Sequence, residues 1–208
     1  MTWDPFGTLG RTLWITGGQW AGKSTVARIL AVRYGLTAYH YDYHDARGHL
    51  DRRIAAGVQL LDPEIAYVRN TPAETAEWVL QHFPQRFEWA LDDLRGLVSG
   101  RPIIAEGWGL RPELAAPIMK SPNQMIVMVP TDEFRLHQAN TLPRARSLTH
   151  KVSDPAQAQR NRLERDRLIA ADCVQHANSL GIRVIEVDGS QDAETVADEV
   201  ADHFNLTT

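Results

Sequence analysis

Cysteine is nearly absent from this chain: Cys173 is the only one in 208 residues, so no disulfide can form within it. That agrees with a reducing compartment. Long apolar runs are missing too. None approaches the roughly 20 residues that span a bilayer, so no membrane association is expected. The opening residues, MTWDPFGTLGRT, lack the basic and apolar regions of a secretion signal, and a cytoplasmic location is expected. There is no surplus of positive charge. A formal net charge of −4 argues against a protein whose main work is to coat nucleic acid. Lysine is scarce: Lys23, Lys120 and Lys151 are three of the 22 basic residues, and the other 19 are arginines. Repeats and low-complexity segments are absent, and nothing in the sequence speaks to oligomeric state.

What remains is the balance of an ordinary globular protein, 43% hydrophobic and 23% charged, of a size that fits one domain over residues 1–208. Apolar runs of strand type occur at 13–16, 37–41, 102–105, 124–129 and 182–187, separated by helical patterns. Short buried strands alternating with helices predict an α/β fold, a five-stranded parallel sheet covered on both faces. The first helix runs from Lys23 to Tyr34 and stops at Gly35. Thr71 and Glu74 form a capping-box pattern around Pro72. Pro84 is expected to start a further helix, and Asp154-Pro155 the longest one, on which Cys173 takes a core position. Two excursions fit the sheet scheme poorly: a mostly helical one over 43–98 and a polar, arginine-rich one over 131–167. Insertions of this length in compact domains commonly serve as lids or binding elements.

Gly17-Gly18-Gln19-Trp20-Ala21-Gly22-Lys23-Ser24 matches G-x-x-x-x-G-K-[ST] at every fixed position, directly after a strand and before a helix. The spacing has a physical reason. Glycines let successive backbone N–H groups turn inward into an anion-binding nest, and the helix aims its positive end at the same point. Lys23 neutralises the outer phosphates and the Ser24 hydroxyl reaches Mg²⁺; Thr25 completes the turn. Trp20 is unusual, because small or polar residues are common at that place in such loops.

In these residues the chain resembles P-loop kinases of the nucleoside/nucleotide kinase-like superfamily, which includes adenylate, cytidylate, uridine and shikimate kinases. No N-K-x-D base-reading motif supports a GTPase, and the transporter signature LSGGQ is absent. The resemblance implies a three-layer P-loop fold with a helical acceptor-binding insertion at 43–98 and an arginine-rich lid at 131–167. It implies a phosphotransferase that uses ATP and Mg²⁺ and passes the γ-phosphoryl group to a small-molecule acceptor bound between insertion and lid. That acceptor would be a hydroxyl compound, a nucleoside or a nucleotide. Arg47, Arg52, Arg53 and Arg69 are the arginines that could meet a phosphate-bearing acceptor. A nucleotide-hydrolysing switch is the alternative, and a nucleic-acid end kinase is disfavoured by the acidic total.

Phosphoryl transfer needs carboxylates at the C-terminal ends of strands beside the loop. Asp42, ending the second strand, and Glu106, ending the third, qualify. Similar kinases use an acid at the first place as general base or metal-water ligand, and the second resembles the Glu-Gly strand end of uridine-kinase-like proteins. Either could be the base. Strand alternation would also put His40, Asp42 and His44 on one face, a spacing able to hold Zn²⁺ or Fe²⁺. No metalloenzyme motif accompanies it, and substrate contact by some of Tyr43, His44, Arg47 and His49 is the stronger reading. Thr131-Asp132-Glu133 reads as a capped helix start and not as a Walker B acid. Arg162 and Arg165 are the preferred lid arginines among seven between 135 and 167. In similar kinases the loop after the last strand, here Asp188-Gly189, lies alongside the nucleotide base. Tyr67, Trp78, Phe83, Phe87 and Trp89 are expected in the core.

Overall fold

A computed structural model describes residues 3–143 and 151–207. In chain order they form β1 (Leu13–Gly17), α1 (Lys23–Tyr34), β2 (Thr37–His40), α2 (Tyr41–His44), a π-helical turn (Asp45–His49), α3 (Leu50–Ala55), a second π-helical turn (Ile65–Arg69) and α4 (Pro72–Gly96). Then come β3 (Ile103–Glu106), α5 (Pro112–Ala115), β4 (Met125–Pro130), α6 (Asp132–Thr141), α7 (Pro155–Ser179), β5 (Arg183–Val187) and α8 (Ala193–His203). The strands are all parallel, in the order β2-β3-β1-β4-β5.

Side-chain alternation along the strands builds both faces. Trp14, Ile103, Ala105, Met125 and Val127 point to one side, where Phe87 and Leu91 of α4 and Cys173 and Ala177 of α7 cover them. Ile15, Ile104, Ile126 and Met128 point to the other, against Val26 and Leu30 of α1 and Val196 and Val200 of α8. With both faces covered, the strands can be apolar throughout instead of alternating with polar residues. Burial of Cys173 pushes its thiol up to about 11, as befits a core residue.

The caps form where their residue types direct. Thr71 Oγ1 accepts from Glu74 N at 3.2 Å while Glu74 Oε2 accepts from Thr71 N at 2.8 Å, closing the capping box. Thr131 accepts from Phe134 N at 3.1 Å, so Asp132 and Glu133 are first-turn residues of α6. Two expectations are overturned. Pro84 starts no helix; it lies inside α4, which stays continuous because Val79, Phe83, Phe87, Leu91 and Leu94 are buried across the break. And β2 ends at His40: the chain turns helical at Tyr41, so Asp42 stands in a helical turn and His40, Asp42 and His44 share no strand face. Of the arginine-rich excursion, Arg144 and Arg146 lie outside the described residues.

Candidate active site

β1 runs into the glycine loop at the middle of the sheet. Gly17 sits at φ +116, and a Cβ there would lie 2.2 Å from the Met128 carbonyl oxygen, so only glycine lets β1 pass β4 at this point. Gly18 N then donates to that same oxygen at 2.9 Å, fixing the start of the loop. Gly22, at φ 80, is the N-cap of α1, whose first residue is Lys23. Lys23 is 5% exposed and its Nζ donates to the Gly18 carbonyl at 2.5 Å, folding the ammonium along the inside of the loop. Ser24 and Thr25 follow in the first turn of α1, at the positive end of the helix.

The two carboxylates come together beside it. Glu106 ends β3 and is 1% exposed; the turn after it is pinned to β1 by Gly107 N to the Ile15 carbonyl (3.0 Å) and Thr16 Oγ1 to the Gly107 carbonyl (3.0 Å). Its Oε1 bonds Nδ1 of His40, its register neighbour on β2, at 2.8 Å, and its Oε2 is buried without a hydrogen-bond partner among the described residues. The bond to Glu106 raises the His40 pKa against the opposing effect of burial. Tyr41 is packed flat on the next turn: a Cβ on Gly107 or Gly109 would meet it at 2.5 or 2.3 Å. That contact sets α2 down with Asp42 next to the loop. Asp42 Oδ1 is likewise buried with no hydrogen-bond partner among the described residues. Burial pushes its carboxyl up to about 6, with Lys23 pulling the other way and Glu106 and Asp45 adding to the rise.

A third acid, Asp45, stands one turn on from Asp42. Asp45 receives Arg86 through both oxygens, Nε to Oδ1 at 2.8 Å and Nη2 to Oδ2. Burial works to raise the Asp45 pKa, but bonds from His49 and Arg86 overcome it and hold the carboxyl well below the usual range. The Arg86 guanidinium lies 5.3 Å from the Phe83 ring centre and 5.6 Å from that of Trp108. Neither Asp45 nor Arg86 stood out in the sequence. The available signal was an arginine on the apolar face of α4, where Phe83, Phe87 and Ala90 mark buried positions. Of the arginines considered for an acceptor, Arg52 pairs with Asp93 at 3.1 Å and Arg53 reaches the Asp45 carbonyl at 3.5 Å.

The two preferred arginines of the polar excursion part company. Arg162 lies 5.5 Å from the centre of the Trp20 ring, at the glycine loop. Arg165 is enclosed between Tyr67 (5.4 Å) and Trp108 (5.3 Å) and paired with Asp166 at 2.8 Å. Further along the same seam, Asn161 Nδ2 donates to the Tyr67 carbonyl at 3.0 Å and Gln157 Nε2 to the Val68 carbonyl at 3.1 Å, so α7 and the helical excursion are bonded directly.

Two cavities adjoin the loop. One of about 510 Å³, mostly apolar, is lined by Trp20, Thr25, Phe134, Leu142, Val187 and Val196, with Gln138 and Gln191 as its polar side chains besides Thr25. Asp188 and Gly189 do not line it. Gly189 backs Phe134, where a Cβ would come within 2.6 Å of the ring, and Asp188 bonds Ser190 in a tight turn. The other, about 700 Å³ and open, is lined by Ser24, Thr25, Arg28, His40, Asp42 and Tyr43. No group of three or more His, Cys, Asp or Glu side chains among the described residues is placed to hold a metal by itself, and no helix among them is long and apolar enough to cross a membrane.

No protein-family model matches the chain, and no curated protein matches it by sequence. Solved structures do match. A shikimate kinase from Acinetobacter baumannii in complex with shikimate aligns over 93% of this chain and 92% of its own, with a TM-score of 0.50 at 18% identity. A shikimate kinase from Aquifex aeolicus (TM-score 0.43, 18% identity, 93% and 96% covered) and a gluconokinase from Sinorhizobium meliloti (0.44, 12%, 95% and 93%) also align. The fold is therefore that of the P-loop kinases, a three-layer α/β sheet with the glycine loop after its central strand. Within that class the fold is similar to that of the Acinetobacter baumannii shikimate kinase.

Proposed function

We propose that this chain is a small-molecule kinase, an ATP- and Mg²⁺-dependent phosphotransferase. The observation that carries the reading is the convergence of Lys23, folded inside a glycine loop, with two buried carboxylate oxygens, Asp42 Oδ1 and Glu106 Oε2, that have no hydrogen-bond partner among the described residues. Oxygens buried in this way are costly unless a ligand completes them. Ser24, Asp42 and Glu106 fit Mg²⁺, directly or through its waters, which when bound draws charge from the phosphate oxygens.

In this reading residues 17–25 cradle the triphosphate, Lys23 neutralises its outer charge, and the 510 Å³ cavity takes the base. Asp188 and Gly189 hold the wall behind Phe134. Asp42 accepts the proton of the acceptor hydroxyl, since a carboxyl near 6 is basic enough at neutral pH and Glu106 is tied to His40. Residues 1–208 act as one unit, with 43–98 serving the acceptor and 131–167, Arg162 and Arg165 included, serving as lid. The acceptor is a small hydroxyl compound, nucleoside or nucleotide.

The test is ADP release from Mg–ATP over a panel of nucleosides, nucleotides, sugars, polyols and hydroxy acids. At least one should raise turnover well above the water background, and Lys23→Ala should abolish it while leaving the circular dichroism spectrum intact. If no acceptor does so but ATP is hydrolysed, a nucleotide-hydrolysing switch becomes the better description.

A further inference from the structure

Trp20 has a conformation and a set of contacts that phosphate binding by the loop backbone does not require. Its φ is 73, in the left-handed region that bulky residues rarely occupy and that Gly22 occupies nearby without strain. Such positions persist only where the surroundings over-determine them, and they gather at functional sites. Here the indole, 5% exposed, is fixed on two sides. Its Nε1–H donates to Asp166 Oδ2 at 3.3 Å, and the Arg162 guanidinium lies 5.5 Å from its ring centre. Residues 162 and 166 are neighbours one turn apart on α7, so a single loop side chain grips two consecutive turns of that helix. The ring also lines the 510 Å³ cavity, placing it between α7 and the nucleotide side of the loop.

We propose that Trp20 is a positioning residue that sets Arg162 against the phosphate cradle. The proposal rests on the kinase reading of that cradle. A guanidinium held over an indole face by its charge is placed beside the loop that the ring belongs to. The long side chain thereby loses rotamer freedom before the ligand arrives. The bond from Nε1 to Asp166 keeps the helix from sliding over the ring. Asp166 also pairs with Arg165, which sits between Tyr67 and Trp108, so the same device ties the loop to the helical excursion. Trp20 itself exchanges no proton and touches no reacting atom; it acts through Arg162.

Isothermal titration with Mg–ADP and Mg–ATPγS separates this role from simple packing. Trp20→Ala and Arg162→Ala should each weaken ATPγS roughly tenfold and ADP by about twofold or less, because a cation–π contact of this kind is worth roughly a factor of two to thirty. The double variant should be no weaker than Arg162→Ala, and Trp20→Phe, which keeps the aromatic face, should hold ATPγS within about threefold of wild type. Trp20→Leu, which fills the space without an aromatic face, makes the same comparison should the alanine variant fail to fold. Equal losses for ADP and ATPγS, multiplied losses in the double variant, or unchanged ATPγS affinity in Trp20→Ala would each overturn the positioning role while leaving the kinase reading standing. Wild-type protein that binds neither nucleotide would bring down the kinase reading and this proposal together.

Discussion

At the scale of single residues, the site holds acidity where stability alone would remove it. Asp42 in the folded chain has its pKa raised to about 6 from an ordinary value of 3.8, chiefly by burial. A carboxyl raised in the folded state binds more protons there than in the unfolded chain. Its stabilising contribution is therefore complete below pH 3.8 and is lost as pH rises through 6, at a total cost of about 3 kcal/mol by pH 7.5. Asp42→Asn should accordingly raise the melting temperature of the ligand-free protein at pH 7.5 by several degrees, with the gain vanishing near pH 4, while phosphoryl transfer is lost. Scanning calorimetry of both proteins across that range checks the sign; a destabilised variant at pH 7.5 would contradict it. Asp45 is the opposite case. Its charge is paired with Arg86, and Arg86→Ala would strand it in the core at a cost of about 3–5 kcal/mol, measurable by urea unfolding. Asp42 and Lys23 could be singled out in the sequence because their places follow from position along the chain, at a strand end and in the glycine-loop motif. Asp45 and Arg86 could not, since their pairing joins positions 41 apart that only the packing of α4 brings together.

At the scale of elements, the sequence located every strand to within about two residues, because runs such as 103–105 are apolar on both faces and have no other home. It failed where tertiary packing overrode a local signal. Pro84 lacks the N–H that would bond the Leu80 carbonyl, yet α4 continues through it because its apolar stripe spans the break. The proline is exposed, so Pro84→Ala should stabilise the protein by about 1–3 kcal/mol, read as a higher denaturant midpoint with an unchanged slope. The end of β2 was missed for a related reason. Tyr39, His40 and Tyr41 read equally well as strand, but Tyr41 finds its place on Gly107 and Gly109 only by turning helical. The segment proposed as a lid was legible only as arginine-rich, whereas the different surroundings of Arg162 and Arg165 depend on which aromatic ring each one meets.

At the scale of the whole molecule, a nucleotide that binds only the folded chain must stabilise it by mass action. Mg–ATP at 100 times its dissociation constant should add about 2.7 kcal/mol, seen as a rise in melting temperature that chelation of Mg²⁺ reduces and Lys23→Ala removes. The strand order carries a further consequence. With β1 in the centre, β5, α6 and α8 line the 510 Å³ cavity on one flank, the one the kinase reading gives to the nucleotide, while β2, β3 and α2 carry the carboxylates and the open groove on the other. In the kinase reading the two substrates reach the loop from opposite sides, and no side chain need carry the phosphoryl group between them. Initial-rate kinetics with both substrates varied should give intersecting double-reciprocal lines and product inhibition of the random-order type. Parallel lines would mean that the phosphoryl group pauses on the protein.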